Sequence, residues 1–125
     1  MTDQPPTADA ATLEEARTRA GALLADADPS TDLTAQPGTS AHGVLAALLY
    51  AAELTGGGVP EVLPWAGFGD LDTPARALAE HREREDARAA AAALIFTLYA
   101  EPGHYAGVMR LVRAALLHTI KGPTQ

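Results

Sequence analysis

The sequence predicts an all-α fold: a single-domain bundle of four main helices with an apolar irregular loop at about residues 56–72. Residues 40–54 are apolar on every face of a helix, which is typical of a helix buried on all sides. Elsewhere, apolar residues recur three and four positions apart, as in amphipathic helices. No segment alternates polar and apolar residues as a half-buried strand does. We therefore expect 40–54 to be a central helix with the other helices packed around it.

The first helix is expected to follow a short N-terminal tail. Residues 1–11 are rich in Pro, Thr and Asp and are predicted to be disordered, which leaves 12–122 as the helical domain. Residues 12–15 fit a capping box with Thr12 as the N-cap. The helix should end at Asp28-Pro29, since proline disfavours a helical conformation in the residue before it.

The central helix has a clear end signal and is followed by an unusual segment. Thr39 or Ser40 is the expected N-cap, and glycines 56–58 should terminate the helix because glycine readily adopts a left-handed conformation. The segment up to residue 72 combines prolines and glycines with Trp65 and Phe68, so we expect an irregular loop. A loop this apolar either covers the core or docks on another molecule.

A third helix is predicted over residues 74–100, with Thr73 as its N-cap. Its charged half, 80–86, either stays helical through ion pairs between residues four apart, or the helix breaks near residue 82. The alanines of 89–93 would let another helix approach closely. The residues expected to fill the core beyond them are Leu94, Ile95, Phe96, Leu98 and Tyr99.

A fourth helix is predicted from about His104 to Lys121. Its positively charged residues Arg110, Arg113 and Lys121 form a candidate basic patch. The apolar residues of its predicted core face are Tyr105, Val108, Met109, Val112, Ala115, Leu116 and Ile120.

Composition argues against several classes of function. The formal net charge of −7 opposes binding to nucleic acid, apart from a helix-turn-helix that would use the basic patch. The absence of cysteine excludes disulfides and thiolate chemistry. Neither a signal peptide nor a membrane-spanning stretch is recognisable, so we expect a cytoplasmic protein with no membrane partner.

The sequence shows no catalytic constellation. Ser40 and His42 are two positions apart and do not face each other on a helix. His81 and Glu85 have a metal-ligand spacing but lie in a charged run without further ligands. The carboxylates of residues 70 and 72 precede a helix start and are expected to serve its dipole. We therefore expect no catalytic residue, metal or cofactor, and an enzyme is the least supported class.

The favoured hypothesis is a non-enzymatic protein–protein interaction or assembly subunit that acts through apolar helical surfaces, as a homodimer or with another protein subunit. The alternative is a helical bundle that binds a small apolar ligand under the 59–71 loop. The interface candidates are Trp65, Phe68, Ala89, Ala92, Ala93 and Phe96. The ligand-pocket candidates are His42, Tyr50, Trp65 and Tyr99.

Overall fold

A computed structural model describes residues 13–27, 38–56, 59–67, 69–99 and 101–121. These residues form helices and contain no strand, which confirms the all-α prediction. The described part of the chain contains six helices rather than the four predicted, because the predicted apolar loop contains a helix and the third predicted helix is divided into two. The helices are α1 (Leu13–Ala27), α2 (Gly38–Thr55), α3 (Val59–Gly67), α4 (Asp72–Ala79), α5 (Glu85–Leu98) and α6 (Pro102–Lys121).

The helix α2 is central, as predicted: it contacts each of the other five helices. Every residue from Val44 to Ala52 is buried, so all sides of this helix face protein. The helix ends at Gly56, whose φ of 85° is the left-handed conformation expected after a last turn. Its start differs from the prediction, since Thr39 and Ser40 lie inside the first turn rather than at the N-cap.

The helices α1 and α6 agree closely with their predicted bounds and core faces. The α1 helix contacts both α2 and α6, and it buries residues three or four apart, from Leu13 to Leu24. In α6, the predicted face is buried over Val108, Met109, Val112, Ala115 and Leu116. Three predictions fall outside the described residues: the N-cap at Thr12, the disordered tail of 1–11 and the end of the helical domain at residue 122.

The helix α3 corrects the prediction of an irregular loop. Pro64 lies inside this nine-residue helix, where proline costs about 3 kcal/mol because it removes a backbone donor. The opposing contribution is burial of Val62, Trp65 and Ala66 in the core. A buried tryptophan removes roughly 150–250 Å² from water, worth about 4–6 kcal/mol at about 25 cal/mol per Å². Tertiary burial thus outweighs the local preference that predicted a loop.

The connection between α3 and α4 is a Schellman turn centred on Gly69. The Gly69 N–H donates to the Ala66 carbonyl at 3.3 Å, and the Asp70 N–H donates to the Trp65 carbonyl at 2.7 Å. Gly69 has a φ of 67°, as the residue after the C-cap requires. This turn satisfies carbonyl groups at the end of α3 and sets the position of Asp70 for the start of α4.

The start of α4 is capped by Asp70 rather than by Thr73. The Asp70 carboxylate accepts hydrogen bonds from the backbone N–H groups of Asp72 and Thr73, both at 3.1 Å, and from the Thr73 hydroxyl at 2.7 Å. These bonds, foremost the one from the Thr73 hydroxyl, lower the pKa of Asp70. The expectation that this carboxylate serves a helix start is therefore confirmed, whereas the N-cap prediction for Thr73 is wrong.

The predicted third helix breaks between α4 and α5, which confirms the alternative of a break near residue 82. Residues 80–84 form turns, so the predicted ion pairs between residues four apart have no helix to support them. Beyond the break, Asp86 accepts the backbone N–H of Leu13 at 3.0 Å. The turns thus bring Asp86 to the start of α1, while residues 80 and 82–85 stay exposed to solvent.

Candidate interaction surface

The helix α5 has one face in the core and an opposite face in solvent. Its buried residues are Ala87, Ala90, Leu94 and Thr97, at spacings of three and four. Thr97 is polar and is 1% exposed, whereas the neighbouring Phe96 is 68% exposed. The helix therefore turns a polar side chain inward and a large aromatic side chain outward, the reverse of the usual arrangement.

The exposed side of this helix is named here the α5 face, and its apolar residues are Ala89, Ala92, Ile95, Phe96 and Tyr99. Ile95 is 47% exposed and Tyr99 is 82% exposed. Four residues that were expected to fill the core are exposed, so that prediction was wrong: Ile95, Phe96, Leu98 and Tyr99. Each residue of an α-helix is rotated by about 100° from the one before it, so these side chains point away from the buried side or lie at the helix end.

The interface candidates on α5 lie together at the surface. Ala89, Ala92 and Phe96 are all exposed on the α5 face, whereas Ala93 is half-buried beside it. Two small residues therefore precede two exposed aromatic residues along one stripe. Contiguous exposed apolar surface of this kind is characteristic of interaction sites.

Trp65 is not available as a surface anchor, which corrects its prediction as an interface residue. Its side chain is 6% exposed and belongs to the hydrophobic core of the folded chain. The physical reason is the formation of α3, which turns Trp65 and Ala66 inward and leaves Pro64 outward. Phe68, the other aromatic residue predicted here, lies outside the described residues.

The four ligand-pocket candidates are not brought together. His42 and Tyr50 are separated by about 12 Å along α2, and the His42 ring is hydrogen-bonded to the Arg17 carbonyl at 2.6 Å. Tyr50 is buried, and its hydroxyl lies beside Arg84 and Asp86. Tyr99 is on the surface at the end of α5, so these residues do not line one pocket.

An apolar cavity lies instead between α3 and α6. Its volume of about 110 Å³ is below the roughly 300–1,000 Å³ of typical small-molecule sites. None of the four ligand-pocket candidates contributes to it. Its lining residues are Leu63, Ala66, Gly67, Arg113, Leu116 and Leu117.

The basic patch is partly structural. The Arg113 Nε donates a hydrogen bond to the Ala66 carbonyl at 2.8 Å, so this charge stabilises the negative end of the α3 dipole. Arg110 is exposed on the same helix. The side chain of Lys121 lies outside the described part of the molecule.

Sequence reasoning missed the long-range side-chain contacts, and two of them join residues more than 60 positions apart. The His104 ring and the Ser40 hydroxyl are 3.1 Å apart although 64 positions separate them, and the Asp86–Leu13 contact joins residues 73 positions apart. Neither has a local signature, because spacing identifies only neighbours on the same helix. His104 could have been singled out only as a polar residue in the first turn of α6.

The shifted pKa values have structural causes. The pKa of Tyr50 is raised, first by burial and then by the nearby negative charge of Asp86. The lowered pKa of Asp70 results from the hydrogen bonds that it accepts as a cap.

Within the described residues, no group of three or more His, Cys, Asp or Glu side chains could hold a metal ion. None of the described helices is long and apolar enough to cross a bilayer.

Comparison with protein-family profiles, with curated proteins and with solved structures found no match to this chain. The surface geometry is therefore the basis for inferring function.

Proposed function

We propose that this protein is a non-enzymatic interaction or assembly subunit that binds through the α5 face, either to itself or to another protein subunit. The observation that supports this most strongly is the outward orientation of Phe96 and Tyr99, which are 68% and 82% exposed, while Thr97 is buried on the same helix. Aromatic residues are enriched among the residues that contribute most to binding energy at interfaces.

The composition of the α5 face suits a helix partner. Ala89 and Ala92 allow close approach of a helix, and Phe96 supplies a side chain whose complete burial is worth about 1.5–3 kcal/mol. Because most of this face is uncharged, docking would require little desolvation of charge. The small-ligand alternative has less support, since its four proposed residues do not share a pocket.

The test uses a charged substitution on the α5 face and a matched one elsewhere. Phe96→Glu introduces a charge at the proposed interface, whereas Leu117→Glu changes another exposed large apolar residue, 55% exposed on α6. Each variant is tagged and incubated with lysate from the source organism. The retained proteins are identified, and the mass of each purified variant is measured in solution at several concentrations.

The proposal requires a complex, with the chain itself or with a defined second protein, that Phe96→Glu weakens and Leu117→Glu preserves. Circular dichroism establishes that both variants remain helical. A chain that is monomeric throughout and retains no protein in a Phe96-dependent manner would contradict the proposal. Loss of the complex in both variants alike would contradict the assignment to the α5 face.

A further inference from the structure

We infer that the α5 face pairs with the α5 face of a second copy, antiparallel, about a two-fold axis. This inference rests on the proposed function and adds the partner and its orientation. Small residues occupy the amino-terminal half of the face, at positions 89 and 92, and aromatic residues occupy the carboxy-terminal half, at positions 96 and 99. A face built in this way is complementary in shape to its own reversed copy.

The register follows from matching small residues with large ones. If the numbers of facing residues sum to 188, Ala92 of one copy faces Phe96 of the other, and Ala89 faces Tyr99. Each aromatic ring then lies over a position that offers only a methyl group. Both contacts occur twice, since a two-fold axis makes the interface isologous.

The charges at the two ends of the α5 face also favour the antiparallel orientation. Glu85 and Arg88 are exposed at its amino end, and Glu101 is exposed just beyond its carboxyl end. In the antiparallel register Glu101 of the second copy lies between the levels of Glu85 and Arg88, so it meets one like and one opposite charge. The Arg88 guanidinium also donates a hydrogen bond to the Arg82 carbonyl of its own chain at 2.6 Å. Parallel pairing would place Glu85 against Glu85 and Arg88 against Arg88, which is unfavourable.

The uncharged centre of the face explains why a second copy is an acceptable partner for an acidic chain. Each copy carries a formal net charge of −7, so association through most surfaces would be opposed by repulsion. From position 89 to position 99 the exposed stripe contains no charged residue. Two copies can therefore approach through this stripe with their acidic residues kept in solvent.

Cysteine cross-linking tests the orientation directly, because the chain contains no cysteine of its own. The variants Ala89→Cys and Tyr99→Cys are prepared separately and oxidised mildly, alone and as a mixture. In the antiparallel register the two introduced positions face each other, whereas two copies of either position are about 15 Å apart along the axis. A disulfide needs Cα atoms within roughly 7 Å. We expect cross-linking in the mixture and little in either variant alone.

The matched experiment uses full-length protein in sedimentation equilibrium. Phe96→Glu should weaken the dimer on the order of 30-fold or more, as expected for loss of a central anchor. Leu117→Glu should leave the dimer intact. Cross-linking of each variant with itself, with no additional cross-linked product in the mixture, would overturn the antiparallel register. A monomeric chain that still binds a different protein in a Phe96-dependent manner would overturn self-pairing while leaving the proposed function intact.

Discussion

Gly69 is the residue at which a single methyl group should disturb the fold most directly. Its φ of 67° is strained for any residue with a Cβ, and a Cβ added there would lie 3.0 Å from the Tyr105 hydroxyl oxygen. That hydroxyl donates a hydrogen bond to the Gly69 carbonyl at 3.0 Å, so moving it away by a few tenths of an ångström lengthens this bond. We expect Gly69→Ala to lower the free energy of unfolding by about 1–3 kcal/mol, measured by urea denaturation.

The matched substitution is Gly43→Ala, which should have the opposite sign. Gly43 lies inside α2, and a Cβ added there would meet no heavy atom within 4 Å. Alanine in such a helical position should raise the free energy of unfolding by about 0.5–1 kcal/mol. If Gly69→Ala raises the free energy of unfolding as Gly43→Ala does, the backbone conformation assigned to Gly69 is wrong.

Asp70 should make stability depend on pH in the acid range. Because its folded-state pKa lies below the ordinary value of about 3.9, the stabilisation is complete above that pH and is lost as the pH falls through the folded-state pKa. We expect Asp70→Ala to cost about 1 kcal/mol at pH 7, the typical contribution of a helix cap. Urea denaturation should show the difference from wild type shrinking below about pH 4.

A control separates this cap from a general effect of carboxylate protonation. Asp26→Ala removes an exposed carboxylate from α1 without removing a helix cap. Its stability difference from wild type should stay within about 0.5 kcal/mol at pH 7. A loss as large as that of Asp70→Ala would refute the capping role of Asp70.

Residue preferences correctly predicted the glycine that ends α2 but not the residue that caps the start of α4. Gly56 follows the last turn of α2, and its left-handed backbone was predictable from its position alone. Thr73 is a residue type that often caps helices, yet Asp70 takes that role because the Schellman turn brings its carboxylate to the start of α4. Which of two capable residues caps a helix depends on the preceding turn, which residue preferences do not determine.

At the scale of elements, the position of Trp65 determines whether α3 is part of the core. We expect Trp65→Ala to lower the free energy of unfolding by about 3–5 kcal/mol, because it removes a large buried side chain. Denaturation by urea, followed by circular dichroism at a concentration that keeps the chain monomeric, provides the measurement.

Phe96→Ala is the appropriate control for this element. It also removes an aromatic ring, but one that is 68% exposed, so its effect on the monomer should stay within about 0.5 kcal/mol. Equal losses from the two substitutions would show that Trp65 is no more buried than Phe96. In that case α3 would not contribute a buried face to the core.

The elements that sequence reasoning located best are those with consistent local and tertiary preferences. The helices α1, α2 and α6 have apolar spacing and end signals that agree, so their bounds were predicted to within two residues or so. For α3, the prolines favour a loop while burial favours a helix, and burial is invisible in a local pattern. The break before α5 was left open because ion pairing and turn formation are both compatible with residues 80–86.

At the scale of the whole molecule, periodicity shows which residues share a face but not which face is buried. The helix α5 is apolar on most sides, so its sequence is compatible with core or surface for Phe96. The packing of α5 against α2 and α4 decides this, because it places Leu94 and Thr97 inward. The interface prediction for Ala89, Ala92 and Phe96 thus depended on which side of α5 is buried, and only the packed structure shows that.

Self-pairing through the α5 face should couple thermal stability to protein concentration. Because only the folded chain dimerises, mass action raises Tm as the protein concentration increases. The expected rise is about 4 °C for a hundred-fold change in concentration in a chain of this size. Calorimetry across that range provides the measurement. In Phe96→Glu, Tm should be nearly independent of concentration, because the folded chain gains nothing from a second copy. Leu117→Glu should retain the wild-type slope, and a wild-type Tm that does not change with concentration would contradict self-pairing.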